Sequence, residues 1–99
     1  MAEVKVTVVK RTVNEDLAAE YARPGTGICT AFEDGQEFVV DGLNQPEGFC
    51  AWAWGDIHKA VLAIRSGSNF TFMKEEGTIV VACTDGIRPV IFKVERIED

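Results

Sequence analysis

Gly48-Phe49-Cys50-Ala51-Trp52-Ala53-Trp54-Gly55-Asp56-Ile57-His58-Lys59-Ala60-Val61-Leu62-Ala63-Ile64-Arg65-Ser66 carries its apolar stripe at Cys50, Trp54, Ile57, Val61 and Ile64. Those positions alternate steps of four and three residues, the period of one helix face. The spacing predicts the main helix of the chain over residues 48–66, ended by Ser66-Gly67. Gly55-Asp56 is the one place where it could break, with Asp56 capping a second segment. Trp52 and Trp54 stand two positions apart, about half a turn round such a helix, so only one can be deep in a core. The other is a candidate contact surface or pocket rim.

Around this helix the chain reads as strands and turns, with one further short helix. Val4, Val6 and Val8 alternate with Lys5 and Thr7, the mark of a half-buried strand over about 3–12. Asn14 followed by Glu15 and Asp16 reads as the start of a short helix, closed by Pro24-Gly25. Asp34-Gly35 lies between Ile28–Glu33 and Gln36–Val40, which predicts a hairpin. Phe70–Met73 is a candidate short strand, Thr78–Cys83 a buried strand, and Val90, Phe92 and Val94 mark a last strand reaching about residue 96. The expected fold is therefore α+β: a single antiparallel or mixed sheet with one main helix in the order βαββαββ, ferredoxin-like or a small half-barrel. All 99 residues are expected to form one domain.

Ten Lys and Arg face sixteen Asp and Glu, a net charge of −6. Phosphate recognition needs clustered positive charge, and the densest basic pair, Lys10-Arg11, is followed by Glu15 and Asp16. Neither nucleic acid nor an anionic membrane surface is an expected partner. No apolar run is long enough to span a bilayer, and Met1-Ala2-Glu3-Val4-Lys5-Val6 alternates where a leader would be continuously apolar. The expected compartment is the cytoplasm. A homo-oligomer is left open.

The three cysteines, Cys29, Cys50 and Cys83, are an odd number, unlike a secreted disulfide framework. They form no Cys-x-x-Cys pair, so a metal ion or iron–sulfur cluster would need the fold to gather all three. Three readings stand: small buried hydrophobes, redox or reactive thiols, or ligands to a metal or cluster. Cys50, near a helix N-terminus, is the foremost reactive candidate. His58, the only histidine, lies eight residues further on. In an unbroken helix that is about 12 Å along the axis, too far for a Cys–His pair. Asp85 in Cys83-Thr84-Asp85-Gly86 reads as a turn residue bonding its own backbone. As an accessory base or ligand it would have Arg88 beside it as a carboxylate anchor. No phosphate-binding glycine loop, zinc-protease helix or nucleophile elbow is present. Composition and spacing point to a small binding or assembly module, with a cysteine-centred site as the alternative and a hydrolase or isomerase built on Asp85 or another carboxylate with Arg88 as a minor third.

Three groups of residues also carry a resemblance: Gly27-Ile28-Cys29 with Phe32 and Gly35-Gln36-Glu37-Phe38; Pro46-Glu47-Gly48-Phe49-Cys50-Ala51-Trp52; and Cys83-Thr84-Asp85-Gly86 leading to Pro89-Val90-Ile91-Phe92-Lys93. Together they make nearly the whole chain similar to a family of short proteins of anaerobic bacteria and archaea, labelled repeat proteins because a unit of about ninety residues can recur in tandem. All three cysteines fall inside these groups. Ile28 stands where that family often has a proline. The resemblance implies no reaction, but it implies an anaerobic cytoplasm, where exposed thiols and oxygen-sensitive metal sites survive.

Overall fold

The computed structural model describes residues 3–98; of the alternating N-terminal run, Met1 and Ala2 lie outside them. Its elements are β1 (Glu3–Arg11), α1 (Glu15–Tyr21), β2 (Glu37–Val40), α2 (Ala51–Arg65), β3 (Thr78–Ala82) and β4 (Val90–Glu98). The four strands form one open antiparallel sheet in the order β2-β1-β4-β3. The α+β class is as expected, but the element order is βαβαββ. That is neither the expected order nor the ferredoxin-like one.

Two predicted strands are absent. Residues 28–33 and 70–73 are irregular. Gly35, at φ +82°, does turn the chain, with Gln36 N–H donating to Glu33 O at 3.1 Å. Only the third turn residue has a positive φ, whereas the predicted hairpin turn needs two. The turn hands β2 to β1: Gly35 N–H donates to Val8 O and Val8 N–H donates to Gln36 O. Phe70–Met73 closes a turn of its own, Met73 N–H donating to Phe70 O.

Register explains the core. Phe38, Val6, Val94 and Ile79 stand in one cross-strand row, and Val8, Phe92 and Val81 in another. These rows face α2, whose Ile57, Val61 and Ile64 are fully buried against them. The opposite face carries the rows Glu37-Thr7-Lys93-Val80 and Val39-Lys5-Glu95-Thr78. Apart from Thr78, which is buried, it is open to solvent, and Lys5–Glu37, Lys5–Glu95 and Lys93–Glu95 ion pairs lie across it. Alternation of this kind is the signature of an antiparallel sheet with one covered face.

α2 starts later than predicted and runs unbroken through Gly55-Asp56. The last carbonyls of a helix need outside donors. The Ser66, Ser68 and Gly67 N–H groups donate to Leu62 O, Ala63 O and Ile64 O in turn, and Arg96 Nη1 adds a bond to Ile64 O and one to Ser68 O just past the helix. α1 begins at Asn14 as predicted, yet the Asn14 side chain donates to Gly86 O instead of capping the helix. None of the α1 residues is buried.

Candidate functional site

The N-terminal end of α2, the end of β3 and the start of β4 meet at one end of the sheet, because Arg11 pairs with Val90 and Ala82 with Ile91. A cleft of about 520 Å³ opens there. Cys29, Cys50 and Cys83 all line it. Each is half-buried and free. They arrive by three routes: Cys50 is the N-cap residue of α2, Cys83 directly follows β3, and Cys29 comes from the irregular loop beside β1.

That loop is held by one side chain. Arg11 donates from Nη1 to Cys29 O at 3.0 Å and Phe32 O at 2.8 Å, and from Nε to Asp34 Oδ1 at 3.0 Å. Phe32 anchors the loop underneath. It is 3% exposed and meets Phe38, Phe49 and Phe92 edge-on, with centroids 4.9–6.0 Å apart.

The thiols differ in their partners. Cys83 Sγ accepts Val90 N–H at 3.3 Å, and the two backbones bond in return through Cys83 N–H to Val90 O. Cys29 Sγ accepts Ala31 N–H at 3.4 Å. Cys50 makes no side-chain capping bond. Its sulfur is therefore not engaged by the N–H groups that open the helix.

Trp52 and Trp54 part as the helix requires. Trp54 is in the core against Phe49, so it offers no contact surface. Trp52 is 66% exposed and forms a wall of the cleft. Its indole does not swing freely: Nε1 donates to Thr84 Oγ1 at 2.9 Å, and the Thr84 hydroxyl donates on to Asp56. Thr84 N–H also donates to Asp56 Oδ2 at 2.7 Å. Asp56 thus ties α2 to the β3–β4 turn, a long-range role in place of the capping role it would have in a broken helix.

In that turn Asp85 Oδ1 accepts the N–H groups of Ile87 and Arg88, both at 2.9 Å, and Oδ2 accepts Arg88 Nε at 3.2 Å. The Arg88 N–H, and then the Ile87 N–H and the guanidinium, outweigh partial burial and hold the Asp85 carboxyl below its usual value of 3.8. The carboxylate shapes the turn and is already engaged, so it is poorly placed to act as a base. Arg88 lines the cleft beside it, and its Nη1 and Nη2 have no hydrogen-bond partner among the described residues. His58 is not at the cleft; its ring meets the edge of Trp54 at 5.6 Å. The unbroken helix keeps it from Cys50.

The cysteines share a cleft without forming a chelate: among the described residues, no three His, Cys, Asp or Glu side chains are grouped to hold a metal ion. As they stand, the three cysteines are not arranged as a three-ligand site for a metal or a cluster. Among the same residues, no helix is long and apolar enough to cross a membrane. Sequence reasoning missed Arg11, Asp56 and Thr84 as organisers of the site. Thr84 had a weak signal, its place between Cys83 and Asp85. No protein-family model, curated protein or solved structure matches the chain.

Proposed function

We propose that the chain is a small ligand-binding module whose site is the thiol-lined cleft, with Cys29, Cys50 and Cys83 as soft contact groups and accessible nucleophiles. The observation that carries this reading is that every cysteine of the chain lines one cleft. Its volume lies within the roughly 300–1,000 Å³ of small-molecule sites, and its walls mix aromatic, aliphatic and a few polar groups, as such sites do.

The test uses 2-naphthol, a flat molecule uncharged at pH 7. It is expected to bind the native protein one to one and to lose that binding once the thiols are capped with N-ethylmaleimide. Unchanged binding after all three thiols are capped would overturn the reading.

A homo-oligomer built on the uncovered sheet face is the second reading. Val39 and Val80 stand exposed there. Light scattering across a dilution series tests it, a constant monomer mass removing it.

A further inference from the structure

Resting on that reading of the cleft, we infer that its ligand is a flat aromatic monoanion, a carboxylic acid, which lies against Trp52 and is anchored by Arg88. Two independent features carry the inference.

The first is the orientation of Trp52. An exposed tryptophan ordinarily samples several rotamers, and ordering one has an entropic cost. Here the indole is fixed before any ligand arrives by the chain Trp52 Nε1–H to Thr84 Oγ1–H to Asp56. The bond uses the ring's only polar group and leaves a large apolar surface at the mouth of the cleft. Aromatic rings prefer offset or edge-on contact with such a surface. A wall fixed in advance favours a rigid, flat partner, because neither side then loses much freedom on binding.

The second is the unfinished guanidinium of Arg88. Its Nε is bonded to Asp85 Oδ2, which fixes the plane of the fork. The Asp85 oxygens are also occupied by two backbone N–H groups. The terminal NH2 groups of Arg88, a residue that lines the same cleft, are unpartnered among the described residues. An arginine held by one edge presents the other to a planar acceptor, and a carboxylate matches that geometry with two parallel bonds. Among the described residues, Arg88 and Asp85 are the only charged ones lining the cleft. A dianion such as a phosphate ester would be under-neutralised beside Asp85, in a protein of net charge −6. A single negative charge suits the one free edge.

The experiment measures the affinities of 2-naphthoate, 2-naphthol and 2-naphthyl phosphate for the native chain by titration calorimetry at pH 7. We expect 2-naphthoate to bind about tenfold or more tightly than 2-naphthol, the scale of one charge-assisted bidentate contact. Arg88→Gln is expected to erase that difference, and Trp52→Ala to weaken both 2-naphthoate and 2-naphthol by about fivefold. Equal affinities of 2-naphthoate and 2-naphthol for the native chain would overturn the inference and leave the cleft reading standing. Tighter binding of 2-naphthyl phosphate than of 2-naphthoate would overturn the choice of a carboxylate. Failure of all three probes to bind would overturn both. The comparison of probes is made on the native chain, so it does not depend on any variant folding.

Discussion

Asp85 gathers three N–H donors on two oxygens, and that concentration of positive dipole gives its carboxyl a stronger acid character than an exposed aspartate. The sign of the consequence is fixed. The native value is depressed, so the contribution to stability is complete above the unfolded value of 3.8 and is lost as pH falls through the native one. Asp85→Asn keeps an oxygen for the two backbone donors but removes the charge. It is expected to lower the thermal midpoint at pH 7, and the gap from the native protein is expected to narrow steadily below pH 3.8. Midpoints measured by circular dichroism from pH 7 to pH 2 check this. A gap that stays constant over the range would show that the carboxylate's charge plays no part. The turn role of Asp85 was legible in Asp85-Gly86 because it is local. The free edge of Arg88 was not, because which donors remain unused depends on how the turn closes.

Arg11 shows why parts of the sheet were misread. Strict alternation from Val4, Val6 and Val8 places Lys10 on the covered face and Arg11 on the open one. β1 instead slips by one residue between Val8 and Lys10, so Lys10 pairs with Ile91 and Arg11 with Val90. A one-residue bulge turns every later side chain to the other face. Arg11 is thereby aimed at residues 29–34, whose carbonyls it satisfies in place of a neighbouring strand. Residues 28–33 have strand-like composition, yet their partner is a side chain from a distant element, and composition does not record that. Asn69 and Arg96 do comparable work at the other end, where Asn69 Oδ1 accepts Gly77 N–H and Arg96 Nη2. Arg11→Met, which keeps the length of the chain and removes the donors, is expected to cost about 2 kcal/mol, the scale of lost hydrogen bonds to a charged group. It should also speed alkylation of Cys29 severalfold over Cys83. Denaturant melts and peptide-resolved alkylation rates measure the two effects. A loop that needs no arginine would leave both unchanged.

The molecule is a sheet with one dressed face and one wet face, and the cleft lies where the dressing ends. The stripe on α2 was readable because a helix face repeats within one element, and the rows it covers were readable because β1 and β4 alternate. Convergence of Cys29, Cys50 and Cys83 was not readable in that sense. It needs the strand order, the bulge in β1 and the Asp56–Thr84 tie together, each linking residues far apart in the chain. The two faces should respond to truncation in opposite ways. Ile57 is fully buried between α2 and the sheet, so Ile57→Ala is expected to cost about 2–5 kcal/mol through lost transfer energy and the cavity left behind. Val39 is 56% exposed on the face crossed by the Lys5 ion pairs. Val39→Thr keeps the β-branched shape and is expected to change stability by less than about 0.5 kcal/mol. Urea melts of both variants at several protein concentrations decide the matter. If Val39→Thr costs more than about 1 kcal/mol, and the cost rises with protein concentration, the wet face is covered by a second copy. The ion pairs there would then be interface groups, and stability would follow protomer concentration as mass action requires.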